Sequence, residues 1–127
     1  MKIVMNKKQL LDLIKKYQKE EMDFDGEVKL VAEEYHDMRD DYTAVKAVMT
    51  GKLQLLGETY DLTHELNERE IEDIIKLYLE KAGYKAGYIR FTSKEKHYDA
   101  FERDDADLVF DNVEIEIKGN AKTKGTI

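Results

Sequence analysis

Apolar side chains return every three to four residues in MNKKQLLDLIKKYQKEEM, where Leu10, Leu11, Ile14 and Tyr17 fall on one stripe. That period predicts an amphipathic helix. Asn6 stands ahead of the stripe with Gln9 three residues on, the pair a capping box uses to satisfy the first free N–H groups of a helix. DFDG, residues 23–26, ends it. In EVKLVAEEYHDMR, residues 27–39, Val28, Leu30 and Ala32 alternate as in a strand, while Val28, Val31 and Tyr35 also fit a helical face. We read this stretch as helix. From Tyr42 the pattern turns to β-branched and aromatic residues, TAVKAVMTGKLQLLGETYDLT, with Gly51 and Gly57 as punctuation. It predicts two or three antiparallel strands. NEREIEDIIKLYLEKAGY carries the clearest helical signal: Asn67 and Glu70 form a second capping box, and Ile71, Ile74, Ile75, Tyr78 and Ala82 line one stripe with Leu79 beside it. Gly83 stands where a left-handed C-cap belongs. AGYIRFTS reads as a strand. ADLVF and VEIEIK read as two more, joined through Asp111–Asn112 as a two-residue hairpin turn. The expected fold is α+β, an antiparallel sheet packed on one long amphipathic helix, with an N-terminal helix. Residues 1–127 are expected to form one domain, with 120–127 as a loose tail.

Charge changes this picture more than composition does. Charged residues make up 39% of the 127 and hydrophobic ones 42%, and the net charge is −7. Eight tyrosines and four phenylalanines supply material for a core. The chain has no cysteine, which removes disulfides, a thiol nucleophile and Cys-ligated zinc. No window reaches the roughly 18 apolar residues of a membrane span, so a cytoplasmic protein is expected. Binding to nucleic-acid phosphates needs a basic surface, and the balance here is acidic. A basic partner fits better, because complementary fields speed and orient association.

Three groups of carboxylates stand out. Glu20, Glu21, Asp23, Asp25 and Glu27 form the first, and Asp61, Glu65, Glu68, Glu70, Glu72 and Asp73 the second. Asp99, Glu102, Asp104, Asp105 and Asp107 form the third. Carboxylates on a rigid helix and hairpin can imitate the phosphate spacing of a nucleic acid. Asp99, Glu102, Asp104 and Asp105, with Glu68, Glu70 and Glu72 at the start of the second helix, are the expected contact face. The stretch from Glu21 also places Asp23, Asp25, Gly26 and Val28 as a calcium-binding EF-hand loop does. The closing bidentate position falls on Ala32, with Glu33 one residue late, so no metal is assigned. The three histidines are far apart, Ser93 has no neighbouring His or glycine elbow, and no phosphate-binding glycine loop occurs.

On an alternating strand Glu114, Glu116 and Lys118 share one face. With Asp107 on the preceding strand, Asp107, Glu116 and Lys118 make two carboxylates and a lysine able to hold Mg²⁺ and orient water. In this the segment resembles the PD-(D/E)xK nuclease superfamily. Asp107 matches its first acid, Glu116-Ile117-Lys118 its (D/E)xK, and Glu70 or Glu72 an auxiliary acid. Ala106 replaces the usual proline. The general character of the chain also resembles small acidic phage-encoded inhibitors of bacterial defence, the anti-CRISPR proteins above all. EEMDFDGE, THELNEREIED and DAFERDDAD, and the lack of an intact catalytic set, carry this likeness of type. It implies a non-enzymatic protein without cofactor, acting in the cytoplasm of a bacterial host. Its partner would be a basic nucleic-acid-binding protein such as a CRISPR effector nuclease. A metal-dependent nuclease and a phage structural protein that self-assembles are the alternatives, and a homo-oligomer is compatible with the last.

Overall fold

The computed structural model describes residues 1–36, 41–97 and 106–120. The element order is β1 (Lys2–Asn6), α1 (Lys7–Glu21), β2 (Glu27–His36), β3 (Asp41–Leu55), β4 (Glu58–Leu66), α2 (Glu68–Lys81), β5 (Tyr84–His97) and β6 (Ala106–Asn120). The fold is α+β. Two three-stranded antiparallel sheets, β1-β6-β5 and β2-β3-β4, replace the one sheet expected. Two helices of 15 and 14 residues replace the one dominant helix.

Both capping boxes form. Asn6 Oδ1 accepts from the Gln9 backbone N–H at 2.9 Å and Gln9 Oε1 accepts from that of Asn6 at 2.9 Å. Asn67 and Glu70 repeat the exchange at 2.9 and 3.2 Å. Gly83 adopts φ +91°, the left-handed conformation that stops α2 without a Cβ clash. The helices bury Leu10 and Ile14 of α1 and Ile71, Ile74 and Ile75 of α2 against both sheets. Tyr78 locks them together. Its hydroxyl donates to Glu20 Oε1 at 3.3 Å, and the ammonium groups of Lys81 and Lys16 lie 5.1 and 5.9 Å from its ring centre. Lys81 also pairs with Glu21 at 2.9 Å. Gln18 of α1 is a buried polar side chain, 1% exposed, and its amide nitrogen has no hydrogen-bond partner among the described residues.

Three sequence expectations change. Residues 27–36 form β2 rather than a helix, pairing with β3 from Glu27↔Thr50 to His36↔Asp41. Val28 and Leu30 are buried at alternate positions, so the period-two pattern outweighs the helical one once β3 offers a partner. Gly51 is not a turn but lies inside β3 under the Phe24 ring, where a Cβ would come within 2.5 Å of the ring. The only turn between β3 and β4 is Leu56–Gly57, with φ +54° and +82°. Third, Asp111–Asn112 is no hairpin. β6 runs unbroken from Ala106 to Asn120 as the central strand of its sheet. Ser93 of β5 faces Phe110 and Thr92 faces Asn112, which leaves Asp111 as one extra residue, a β-bulge. The Thr92 hydroxyl closes the gap, donating to Asn112 O at 3.0 Å and accepting from Asn112 N at 3.1 Å. The strand β1, absent from the sequence reading, pairs along the other side of β6 from Lys2↔Glu116 to Asn6↔Asn112. Residues 121–127 lie outside the described residues.

The bed under Phe24 gives a direct test. Gly51→Ala should cost about 1–3 kcal/mol of unfolding free energy through overpacking, read as a lower urea midpoint at unchanged slope. Gly57→Ala, at a turn with open space around its Cα, should show only the cost of its backbone conformation.

Candidate functional site

Strand β6 puts its alternating residues as its sequence demands. Val113, Ile115 and Ile117 are buried, and Glu114, Glu116 and Lys118 share the opposite face. Glu114 is engaged there. Arg90, directly across on β5, donates from Nε and Nη2 to Glu114 Oε2 at 3.1 and 2.8 Å, and Lys2 approaches Oε1 at 3.4 Å. The guanidinium hydrogen bonds hold the Glu114 carboxyl below the usual carboxylate range, against a smaller opposing push from desolvation. Glu116 is exposed opposite Lys2, and the stem of Lys118 lies along Gly87.

The nuclease-like set is not assembled by this backbone. Asp107 lies on the same strand as Glu116, nine positions away, not on a neighbouring one. At about 3.3 Å per residue their backbones are roughly 30 Å apart. The side chain of Asp107 lies outside the described residues. The reason is the bulge: it carries the strand straight on where a turn would have folded Asp107 back beside Glu116.

The acids of α2 are partly absorbed by the fold. Glu68 Oε1 accepts from the Val45 backbone N–H at 2.9 Å. β4 ends at Leu66, paired with Ala47, so the carboxylate stands in for the next strand along β3. Glu70 closes the capping box. Burial pushes the Glu72 carboxyl up, with Lys76 opposing and Glu68 adding to the push. Asp99, Glu102, Asp104 and Asp105 lie outside the described residues.

Other acids, far apart along the chain, line one groove. At the root of the β3–β4 hairpin a groove of ≈ 760 Å³ is lined by Asp25, Glu27 and Asp61, with Lys15, Lys52 and Leu62. It joins the first carboxylate group to the second. Lys52 and Asp61 form an ion pair across the strands. On the same sheet Lys46 lies between Glu33 and Glu65 at 2.7 and 3.4 Å, and the hydrogen bond it donates to Glu33 is the main cause that raises its pKa. Among the described residues no three His, Cys, Asp or Glu side chains are grouped closely enough to hold a metal ion, including those of the EF-hand-like stretch. No helix among them is long and apolar enough to cross a membrane.

The antiparallel strands expected here form the β3–β4 hairpin, and its open apolar strip is the feature that sequence reasoning missed. Beyond Met49 the hairpin leaves the core. Leu53, Leu55, Tyr60 and Leu62 are 44, 51, 46 and 37% exposed, and Leu56 at the turn is 94% exposed. Leu53 faces Tyr60 and Gly51 faces Leu62, so these side chains form one strip that continues the buried face of the sheet. Their alternation matches that of a core strand, and only the position of α1 and α2 leaves the strip open. The chain matches no protein-family model, no curated protein and no solved structure.

Two substitutions separate structural carboxylates from free ones. Glu68→Ala should destabilise by about 1–3 kcal/mol, because it strands the Val45 N–H, while Glu68→Gln should recover most of the loss in a denaturant titration. Glu114→Gln should lower stability at neutral pH, and the gap to wild type should close in acid. A depressed carboxyl contributes above its unfolded pKa, 4.5, and loses that contribution as pH falls through its folded value.

Proposed function

We propose that the chain is a non-enzymatic binding protein that occludes the basic, nucleic-acid-binding surface of a partner enzyme. One observation carries the reading: Asp25, Glu27 and Asp61 line a single open groove at the base of a hairpin. Three carboxylates against two lysines leave that groove net acidic. It can accept an Arg side chain bidentately, where the guanidinium fork matches the carboxylate, or a Lys ammonium as a point charge. The net charge of −7 adds a long-range field of the same sign. Such a surface competes with phosphates for the same cations. The third carboxylate group, Asp99 to Asp107, would extend the contact. A CRISPR effector nuclease is the kind of partner that the likeness to phage-encoded inhibitors implies.

The test is capture from a bacterial lysate on the immobilised protein, washed at low and then at high salt. The expected result is retention of a nucleic-acid-handling enzyme at low salt and its release at high salt. Asp25→Lys with Glu27→Lys should weaken binding roughly tenfold and flatten its salt dependence, as loss of complementary charge does. Asp104→Lys with Asp105→Lys should act in the same direction. Unchanged affinity in both double variants would remove the electrostatic mechanism.

A further inference from the structure

The exposed strip and the outer edge of β4 belong together. Among the described residues β4 has β3 on one side and no strand on the other. Leu55 and Glu58 flank the two-residue turn, so they form a hydrogen-bonded pair and the pairs alternate from there. Thr59, Asp61, Thr63 and Glu65 therefore turn their N–H and C=O groups outward. Proteins usually blunt such an edge with proline, lysine or a bulge. β4 contains no proline or lysine and its register with β3 runs without a shift over nine pairs; its charged side chains are Glu58, Asp61 and Glu65, so any strand added here must keep those carboxylates apart.

We infer that this edge is completed by the β4 strand of a second copy of the chain, paired antiparallel about a two-fold axis at Leu62. Length and charge together select the register: axes at Tyr60 or His64 would pair only residues 58–62 or 62–66 of each strand, whereas an axis at the centre pairs all of Glu58–Leu66. An axis at Asp61 would set Asp61 against its own mate. An axis at Thr63 would set Asp61 against Glu65 twice. The axis at Leu62 sets Leu62 against Leu62, Tyr60 against His64, Asp61 against Thr63 and Thr59 against Glu65, with no like charges opposed. It is also isologous, as a closed dimer requires.

The same register gives the hairpin tip a place to go. Glu58 comes opposite Leu66 of the mate, and the turn lies beside the start of the mate's α2. There each chain has a groove of ≈ 360 Å³ lined by Tyr17, Leu66, Ile74 and Leu77, with Glu70 and Asp73 at its rim. Leu55 and Leu56 of one copy reach that groove in the other, and the exchange is reciprocal. Leu56 stands at φ +54°, a conformation that favours Asn or Gly. An exposed leucine held there makes sense as an anchor for the mate.

The experiment is the solution mass of the full chain by light scattering across concentration and salt. The monomer is 14.9 kDa, and twice that mass is expected. Two chains of net charge −7 repel, so added salt should strengthen this association, opposite to its effect on a basic partner. Leu62→Asp places two charges at the axis and should raise the dissociation constant about tenfold or more. Thr63→Pro removes an outward N–H without touching the β3 ladder and should do the same. Leu56→Asn should weaken the dimer while leaving the monomer as stable or more so. Because the chain has no cysteine, Leu62→Cys adds a decisive probe. Non-hydrogen-bonded antiparallel partners have Cα atoms about 4.5 Å apart, within disulfide reach. Mild oxidation should cross-link Leu62→Cys and not Glu65→Cys. A wild-type chain that stays monomeric at every concentration and salt, with no cross-link from Leu62→Cys, overturns the dimer. A dimer that persists in Leu62→Asp and Thr63→Pro overturns this interface.

Discussion

Strand β6 sets the terms for the rest of the molecule. It is central in its sheet, with β1 on one side and β5 on the other, and it also packs against β2 of the second sheet. Three inward residues, Val113, Ile115 and Ile117, and Phe110 at the far end must all reach the core. Strict alternation cannot do this, because 110 and 113 differ by an odd number. The extra residue at Asp111 resets the phase. With the bulge in place, Phe110 packs against Phe91 with ring centres 6.4 Å apart, and Ile115 faces Ile89 across the ladder. Lys94 approaches the bulged Asp111 at 3.5 Å, an exposed contact that adds little by itself. The bulge rests on the two Thr92 hydroxyl bonds and on the burial on either side.

That same bulge explains the limits of the sequence reading. Asp-Asn between two alternating runs is a hairpin signal, and the broken phase at 110–113 looks the same in a turn and in a bulge. Only the partner strand distinguishes them, and β5 lies across from both halves of β6. The helices were legible because their signals are local: two capping boxes, two apolar stripes and a glycine stop. β2 was not, because Val28, Leu30 and Ala32 alternate while Val31 and Tyr35 fit a helix, and β3 decides between them. β1 was too short and too close to the α1 cap to announce itself.

The exposed side of the molecule was legible in kind but not in place. Glu114, Glu116 and Lys118 do share a face, as alternation requires. Glu68 and Glu70 were expected to meet a partner, yet they complete the β3 edge and the α2 cap. A carboxylate in the first turn of a helix is favoured there by the free N–H groups and the helix dipole. The bland role thus has a strong local cause that charge counting alone does not weigh. Glu20 and Glu21 are likewise drawn into the clamp around Tyr78.

The acids left for an outside partner are therefore chiefly Asp25, ahead of β2, and Glu27 at its start, with Asp61 of β4 beside them in its ion pair with Lys52. Their grouping depends on one packing event. Phe24 turns inward over Gly51, which carries Asp25 and Glu27 against β3 and close to β4. A side chain at Gly51 would displace the ring and, with it, the carboxylates that follow in sequence. The acidic groove and the projecting hairpin share this hinge of Phe24 on Gly51, so the charged surface and the apolar strip are positioned by one contact. A two-fold axis at Leu62, beside Asp61, would set two such grooves near each other and double the acidic field on that side of the sheet. Salt would then act on the two proposed associations in opposite directions, weakening the one made through opposite charges and strengthening the one made between like chains.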